Sequence, residues 1–178
     1  MTIHAMVDLE TLGTSPDCVV LTVGAVKFNP CVYNSPYGAL YHKIDVDSQI
    51  KLGRTIDDST LDWWNKQDEH IREEALSENN RTGLEDFIKE FNRFCVGVDV
   101  LWCQGPLFDF AILQNLYAQL KTPIPWHYWQ IRDSRTLFSL MPFDPRKEIQ
   151  VEAHNALADA YVQAQCVQKT YNHFGIKK

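Results

Sequence analysis

The sequence contains no long hydrophobic run and no pair of closely spaced cysteines. Its longest apolar stretches fall far short of the ~20 residues that span a bilayer. The N-terminus lacks a basic stretch followed by an apolar run, so we expect no secretory signal. The five cysteines are odd in number and include no CxxC pair, which favours reduced and mostly buried thiols. Together these absences predict a cytoplasmic protein with no membrane partner.

An excess of positive charge is also missing, because the formal net charge is −6. A protein that coats long duplex DNA normally carries a basic face, so the charge disfavours that kind of binding. A protein that holds only the last few nucleotides of a strand needs less basic surface. The charge therefore restricts how nucleic acid is bound without excluding it.

What is present is typical of one soluble domain. The chain has 178 residues, of which 45% are hydrophobic and 22% are charged, and these fractions are ordinary for globular proteins. A domain of this size buries roughly 70% of the surface that its unfolded chain exposes. We find no internal repeat, low-complexity segment or linker, and we predict a single domain over residues 1–178.

Hydrophobic patterning predicts strands in the first part of the chain and mainly helices afterwards. Three consecutive strands are expected, which implies an antiparallel start to a sheet. Helices and further strands then alternate, which indicates an α/β architecture with a mixed sheet covered by helices. The predicted strands are 2–9, 19–28, 38–46, 97–104 and 128–132; the predicted helices are 58–76, 83–95, 107–120, 134–141 and 156–173; residues 142–153 are predicted as a loop.

Two carboxylates lie at the end of the first predicted strand. Asp8 and Glu10 are two positions apart, and alternate side chains of a strand share a face, so both point the same way. Two acids on an otherwise apolar strand are unfavourable unless a positive charge meets them. Mg²⁺ and Mn²⁺ prefer carboxylate oxygen. The pair predicts a cation site, and two solvated acids at a strand end are the simpler alternative.

Three further polar residues lie near predicted helix starts. Asp109 falls in the first turn of a helix and is the only charged residue between positions 100 and 120; a favourable interaction with the helix dipole is the alternative explanation. Asn155 is a good N-cap, which places His154 in the preceding loop and Asp159 in the early turns of the last helix. The two side chains can then approach one centre. A capped helix with an incidental histidine is the alternative.

The segments VDLETLG (7–13), LFD (107–109) and HNALADA (154–160) together resemble the motifs of the DEDDh family of 3′-5′ exonucleases. The likeness spans nearly the whole chain in the right order. Within that family, residues 6–28 and the LDWW segment at 61–64 look most like the phage-encoded exonuclease A type. Leu12 stands where many relatives have Thr, and Gly105 where they have Asn. Both positions flank the substrate cleft in the family, so its sugar and base preferences do not carry over.

The resemblance implies a ribonuclease H-like fold, with three antiparallel strands and then parallel strands, flanked by helices. It also implies two divalent ions, Mg²⁺ or Mn²⁺, at the scissile phosphate. Mapped by motif, Asp8 would bridge both ions, Glu10 and Asp159 would serve one, and Asp109 would act directly or through water. His154 would take a proton from the attacking water, because imidazole is largely neutral at physiological pH. The product would be nucleoside 5′-monophosphates released from 3′ ends.

The resemblance further suggests how the substrate is held. The backbone around Glu10–Leu12 would meet the terminal 3′-hydroxyl, the Leu12 side chain would wedge against a base, and Gly13 is a further candidate for substrate binding. For stacking and phosphate contacts a purely structural explanation is the alternative. Aromatic residues often belong to the core, and exposed charged residues are often only solvated. The candidates are Trp63, Trp64 and Phe108 for stacking, and Arg135, Arg146 and Lys147 for phosphate.

The predicted substrate is the 3′ end of single-stranded nucleic acid, with DNA favoured. An exoribonuclease or oligoribonuclease is the rival within the enzyme class, because it would use the same five residues and recognition of a 2′-hydroxyl leaves no motif. A catalytically inactive nucleic-acid-binding module on the same fold is the non-enzymatic alternative, and the presence of all five residues disfavours it. Relatives are often dimers, so the resemblance leaves a homodimer open.

Overall fold

A mixed six-stranded sheet forms the centre of the computed structural model, which describes residues 2–149 and 154–177. The strands are β1 (His4–Thr11), β2 (Val20–Phe28), β3 (Tyr37–Ile44), β4 (Arg81–Thr82), β5 (Val100–Cys103) and β6 (Ile131–Asp133). Their order across the sheet is β4-β3-β2-β1-β5-β6. Strands β1, β2 and β3 pair antiparallel, whereas β5 and β6 extend the sheet in parallel. The predicted mixed sheet is therefore confirmed.

Seven α-helices lie among the described residues. They are α1 (Val46–Lys51), α2 (Asp58–Trp64), α3 (Glu69–Leu76), α4 (Leu84–Cys95), α5 (Asp109–Gln119), α6 (Ser134–Phe138) and α7 (Ala156–His173), and short 3-10 turns span Tyr128–Gln130 and Pro145–Glu148. The prediction of a single helix over 58–76 is wrong, because α2 ends at Trp64 and a second helix, α3, begins at Glu69 with Asp68 as its N-cap. Neither α1 nor β4 was predicted, since each is too short to show a hydrophobic period. The predicted loop 142–153 contains one of the 3-10 turns, and residues 150–153 lie outside the described part of the chain.

The alternation of side chains along β1 divides the core between the two faces of the sheet. Ala5, Val7 and Leu9 belong to the core cluster that includes residues of α4 and α5. Met6 points the other way, into the cluster formed with α7. Because side chains alternate along a strand, Asp8 and Glu10 share the face of Met6. The strand therefore directs both carboxylates to the side of the sheet that α7 covers.

The start of α7 lies directly on β2 at Gly24, which pairs with Asp8 across the β1–β2 ladder. A Cβ atom on Gly24 would lie 2.2 Å from the carbonyl carbon of Ala156 and 2.2 Å from the amide nitrogen of Leu157. These are backbone atoms, so they cannot move aside without shifting the helix. The absence of a side chain at position 24 thus sets how closely the first turn of α7 approaches the strand that carries Asp8.

Four of the five cysteines are buried in the fold, and Cys31 is exposed in the β2–β3 connection. Burial raises the pKa of the Cys95 thiol to about 12, which keeps it protonated and unreactive. The expectation of mostly buried thiols is therefore confirmed. Within residues 2–149 and 154–177, no helix has both the length and the apolar character needed to cross a membrane.

We predict that Gly24→Ala lowers the free energy of unfolding by about 1–3 kcal/mol, as overpacking of a close contact usually does. Urea denaturation of the wild type and the variant measures the change. Gly83→Ser is the matched control, because a Cβ at Gly83 would meet nothing within 4 Å and Gly83 has a negative φ of −63°. A loss for Gly24→Ala no larger than that of the control would show that the helix tolerates a methyl group at this contact.

Candidate active site

Three carboxylates from two elements meet at the carboxyl end of β1. Asp8 and Glu10 come from β1, and Asp159 comes from the first turns of α7. One oxygen from each lies within 4.8 Å of the others. The register of β1 and the approach of α7 at Gly24 together produce this spacing. The structure thus brings together three of the residues that the sequence predicted as metal ligands, and that role stays a prediction.

His154 precedes α7 in a conformation that ties it to the same centre. Asn155 caps the helix by accepting a hydrogen bond from the amide of Ala158 over 3.0 Å. His154 has a φ of +70°, which is uncommon for a residue with a side chain. Its backbone N–H donates to Oδ2 of Asp159 over 2.9 Å. The turn therefore fixes the histidine beside the carboxylate that it was predicted to accompany.

Trp63 holds the imidazole of His154 from the other side. The ring centroids are 4.8 Å apart and the planes are at 89°, an edge-to-face contact. Trp63 comes from α2 and is 39% exposed. The side chain of His154 is thus positioned by packing against an accessible aromatic ring as well as by its own backbone.

Asp109 begins α5 behind this group and is only 3% exposed. It is not one of the three carboxylates whose oxygens lie within 4.8 Å. Burial raises the pKa of Asp109 to about 7, although hydrogen bonds from backbone amides and from the thiol of Cys103 oppose the shift. Its charge in turn raises the pKa of Asp8 and of Glu10. Asp109 therefore belongs to the same electrostatic site but lies deeper in the protein.

Burial and mutual repulsion make this cluster unfavourable as four ionised acids. Burial raises the pKa of Asp8 well above its usual range, and the three other carboxylates raise it further. The pKa of Glu10 rises to about 8, mainly through burial and then through repulsion by Asp159. Among the described residues, no salt bridge reaches these carboxylates. An oxygen-rich, negatively charged and uncompensated site of this kind fits a hard divalent cation.

Three clefts meet around the carboxylates. The carboxylate cleft, of about 440 Å³, is lined by Asp8, Glu10, Gln104, Arg146, Ile149, His154, Asp159, Val162 and Gln163. The aromatic cleft, of about 450 Å³, shares Glu10 with it and is lined by Leu9, Glu10, Thr11, Gly13, Thr14, Ser59, Thr60, Trp63, Trp64 and Phe108. The arginine cleft, of about 360 Å³, shares Arg146 with the carboxylate cleft and is lined by Arg135, Phe138, Ser139, Met141, Pro142, Phe143, Asp144 and Arg146. The shared residues connect the three spaces into one trough.

Residues 3–171 match the family described as the 3′-5′ exoribonuclease Rv2179c-like domain. The chain belongs to this family. An exodeoxyribonuclease of Enterobacteria phage T4 is 26% identical over 156 residues, in an alignment that covers 74% of this chain and 68% of the phage protein. The predicted identity as a DEDDh-type 3′-5′ exonuclease is confirmed, and the phage relative agrees with the resemblance to phage-encoded exonucleases.

Solved structures of exonucleases share the fold of this exonuclease domain. Exonuclease X in complex with 5′ overhanging duplex DNA has a TM-score of 0.62 and 16% identity, covering 98% of this chain and 94% of that one. Escherichia coli exonuclease I in complex with a dT13 oligonucleotide has a TM-score of 0.69 and 13% identity, covering 98% of this chain and 43% of that one. The chain therefore spans less than half the length of exonuclease I. The likeness confirms the predicted ribonuclease H-like fold.

Two of the predicted substrate contacts require correction. The Leu12 side chain is 5% exposed and packs in the core with Val19 and Trp64, so it does not wedge against a base. The Leu12 backbone is also occupied, because its N–H donates to Val19 and its carbonyl accepts from Asp57. Trp64 borders the aromatic cleft but is only 1% exposed, since its ring packs in the core and its indole N–H donates to the carbonyl of Thr11, so its faces are not accessible for stacking. The apolar character of the LDWW segment serves the core at Trp64, while Trp63 faces the cleft.

Most of the other predicted contacts lie around the trough, although Lys147 lines none of its three clefts. Gly13 and Phe108 line the aromatic cleft. Arg135 lines the arginine cleft and not the carboxylate cleft, and its guanidinium donates to the carbonyl of Gln104 over 3.0 Å. Arg146 reaches both of these clefts and is paired with Asp144 at 2.7 Å. Substrate roles for these residues remain predictions.

Gln163 was not predicted from the sequence. It lies one turn after Asp159 on α7, lines the carboxylate cleft, and donates from Nε2 to Oδ1 of Asp8 over 2.9 Å. A polar residue within the apolar stripe of a helix is the signal that points to it, since positions 160, 164 and 167 of the same face are buried and apolar. Periodicity alone does not reveal that its partner is on β1.

The raised pKa values predict that the metal-free protein loses stability as the pH rises from about 6.5 to about 8. The folded-state pKa values of Glu10 and Asp109, about 8 and about 7, exceed their ordinary values of 4.5 and 3.8. In this window the folded state binds more protons than the unfolded chain, so the free energy of unfolding falls with pH. His4, whose pKa burial lowers from 6.5 to about 4, makes the opposite contribution, which lies mainly below this window and fades within its lower part. Urea denaturation at several pH values in chelator measures the slope.

Glu10→Gln should flatten that slope, because glutamine carries no charge at any pH. Asp62→Asn is the control, since Asp62 is exposed on α2 and lies outside the carboxylate group. A stability that is constant or rises between pH 6.5 and 8 would contradict the electrostatic description of the site.

Proposed function

We propose that this chain is a single 3′-5′ exonuclease domain that hydrolyses the terminal phosphodiester bond of single-stranded nucleic acid, with DNA favoured, and uses two divalent ions, Mg²⁺ or Mn²⁺. The observation that carries the proposal is the meeting of Asp8, Glu10 and Asp159 within 4.8 Å beside His154. The family provides the direction of digestion. Membership of the fold alone would not support the chemistry, because fold does not determine function.

The trough suggests how a strand lies on the domain. The scissile phosphate belongs at the carboxylates, so the nucleoside to be released occupies the neighbouring aromatic cleft. That cleft offers Trp63 and Phe108 to a base and has a volume of about 450 Å³, within the roughly 300–1,000 Å³ of ligand pockets. The preceding nucleotides then continue toward the arginine cleft, where Arg135 and Arg146 face phosphate groups.

The residues of the site divide the reaction between them. Asp8, Glu10 and Asp159 would hold the divalent ions, and Asp109 would contribute directly or through water. When bound, the ions neutralise the clustered charge and stabilise charge that develops on the phosphate oxygens. His154 takes the proton of the attacking water, which adds to phosphorus as the bond to the 3′-oxygen of the preceding nucleotide breaks, and that oxygen takes a proton from solvent. The products are a nucleoside 5′-monophosphate and a strand one nucleotide shorter with a free 3′-hydroxyl.

An exoribonuclease is the second candidate, and two observations favour it. The family is described as an exoribonuclease domain, and the aromatic cleft is lined by Thr14, Ser59 and Thr60, residues whose hydroxyl groups suit a 2′-hydroxyl. DNA is favoured because the phage relative is an exodeoxyribonuclease and the solved neighbours were bound to DNA. Cytoplasmic location and a homodimer remain expectations from the sequence.

Substitution of a proposed metal ligand and substitution of the proposed general base should have different effects on metal binding and turnover. Activity should vanish in chelator and return with Mg²⁺ or Mn²⁺. Asp8→Asn should lose both metal binding and turnover, because it removes a central ligand. His154→Ala should keep metal binding and lower kcat by roughly 10²–10⁴, the usual contribution of a general base. Calorimetric titration with Mn²⁺ and initial rates on a labelled oligonucleotide provide the two measurements.

His173→Ala is the matched control, because His173 is an exposed histidine at the far end of the same helix. Full activity in excess chelator would overturn the mechanism. Wild-type turnover by His154→Ala would reduce His154 to a structural role at the start of α7.

Matched single strands of DNA and RNA, each labelled at the 5′ end, test the substrate. We expect a ladder that shortens from the 3′ end, faster on DNA than on RNA, and strongly slowed by a 3′-phosphate, because the cleft accommodates a free terminal sugar. Faster digestion of RNA would establish the exoribonuclease alternative. Cleavage of circular single strands would contradict an exonuclease, and binding without digestion in the presence of Mg²⁺ or Mn²⁺ would establish the inactive module.

A further inference from the structure

Gln163 is a buried polar residue in contact with the carboxylate of Asp8. Its side chain is 7% exposed and lies on the face of α7 that packs against the sheet. The amide Nε2 donates to Oδ1 of Asp8 over 2.9 Å. Ala160 and Ala164, which flank it on this face, are fully buried and apolar. Burying an amide in such a position is unfavourable unless the amide is hydrogen-bonded.

Two of the other carboxylates of the site, Asp159 and Asp109, have hydrogen-bond donors of their own. Asp159 accepts the backbone N–H of His154 over 2.9 Å. Asp109 accepts hydrogen bonds from backbone amides and from the thiol of Cys103. Asp8 receives its side-chain hydrogen bond from Gln163, which reaches it from a different element of the fold. The orientation of Asp8 therefore depends on a residue 155 positions away in the sequence.

The second polar atom of Gln163 shows what this contact costs. Its carbonyl Oε1 is buried and has no hydrogen-bond partner among the described residues. A carboxylate that binds a divalent ion is ionised and only accepts hydrogen bonds, so in that state the NH₂ group has to face Asp8 and the carbonyl oxygen has to face away. Reversing the amide would place two acceptors against each other. The orientation that keeps a donor on Asp8 thus leaves one buried acceptor without a partner among the described residues, a cost that calls for an explanation.

We propose that Gln163 is a positioning residue of the nuclease, which holds one oxygen of Asp8 so that the other remains directed at the divalent ions. This inference rests on the proposed function, because it assigns Gln163 a role through the ion-binding carboxylate. Gln163 itself touches neither ion nor substrate. Its substitution weakens metal binding and lowers turnover at limiting metal, while the affinity for nucleic acid stays the same.

The test compares two variants of Gln163 with a control on the same helix. Gln163→Met keeps the length of the side chain and removes the donor. Gln163→Asn keeps the amide but withdraws it by one methylene, and it remains informative if the methionine variant folds poorly. Gln168→Met is the control, because Gln168 is also buried on α7 at 1% exposure and also has an unpartnered Oε1, but it bonds the β2–β3 connection at Asn29 and Val32.

Three quantities are measured on each full-length variant: Mn²⁺ affinity by calorimetry without substrate, kcat and KM at several Mg²⁺ concentrations, and the midpoint of thermal unfolding. Both Gln163 variants should bind Mn²⁺ roughly 10–100-fold more weakly, the usual effect of losing a residue that orients a metal ligand. Their KM for the oligonucleotide should stay unchanged, and excess Mg²⁺ should restore most of kcat. Gln168→Met should lower the unfolding midpoint without changing the Mn²⁺ affinity.

Unchanged Mn²⁺ affinity in both Gln163 variants, beside a wild type that binds the ion, would overturn this inference alone. An equal loss of affinity in Gln168→Met would overturn it as well, because the effect would then be one of general stability. A wild type that binds no Mn²⁺ and has no activity would overturn the proposed function, and this inference with it.

Discussion

The first turn of α7 rests on the backbone of β2 at Gly24, and the geometry of the site depends on this contact. Gly24 pairs with Asp8, so the helix begins directly beside the strand that carries the first two carboxylates. Asp159 and His154 come from the residues around that helix start. Small residues at positions 156, 160 and 164 continue the close approach along the helix. The backbones of α7 and β2 are therefore in direct contact, without a layer of side chains between them. This contact brings the residues at the start of α7 close to the carboxylates of β1.

The same close approach creates an electrostatic conflict that the protein does not resolve by itself. Four carboxylates are gathered in a partly buried site, and burial raises the pKa of each of them. Backbone amides, a thiol and the amide of Gln163 compensate only part of that cost. In the proposed function divalent ions provide the missing positive charge. This accounts for a nucleic-acid enzyme with a net charge of −6, since the attraction for phosphate is local to the site.

In the proposed function, Trp63 links the bound substrate to the catalytic groups. This ring lines the aromatic cleft and also packs edge-to-face on the imidazole of His154. A base that stacks in the cleft therefore meets a ring that also positions the proposed general base. Behind the cleft, the buried Arg54 donates to the carbonyls of Pro16 and Cys18 and to side chains of α5. That network fixes the loop after β1 relative to the helix that carries Asp109.

The sequence by itself determined the five candidate residues, the order of most elements and the mixed sheet, because these depend on local information. A strand places Asp8 and Glu10 on one face, an Asn155 cap places the start of α7, and α4 and α7 show a clear apolar period. The family resemblance then supplied the roles. A two-residue strand such as β4 has no period to read, and the break between α2 and α3 lies inside an amphipathic segment.

Only the tertiary structure decided which side chains face the clefts. Leu12 and Trp64 stand beside residues of the cleft in sequence, but packing against Val19, Leu21 and Ala75 draws them into the core. Trp63 and Trp64 are neighbours of the same residue type, and the rotation of one helical step separates an accessible ring from a buried one. Gln163 acquires its partner only when α7 docks on β1. Contacts between distant segments depend on how the helices and strands pack together, and local sequence patterns do not reveal that packing.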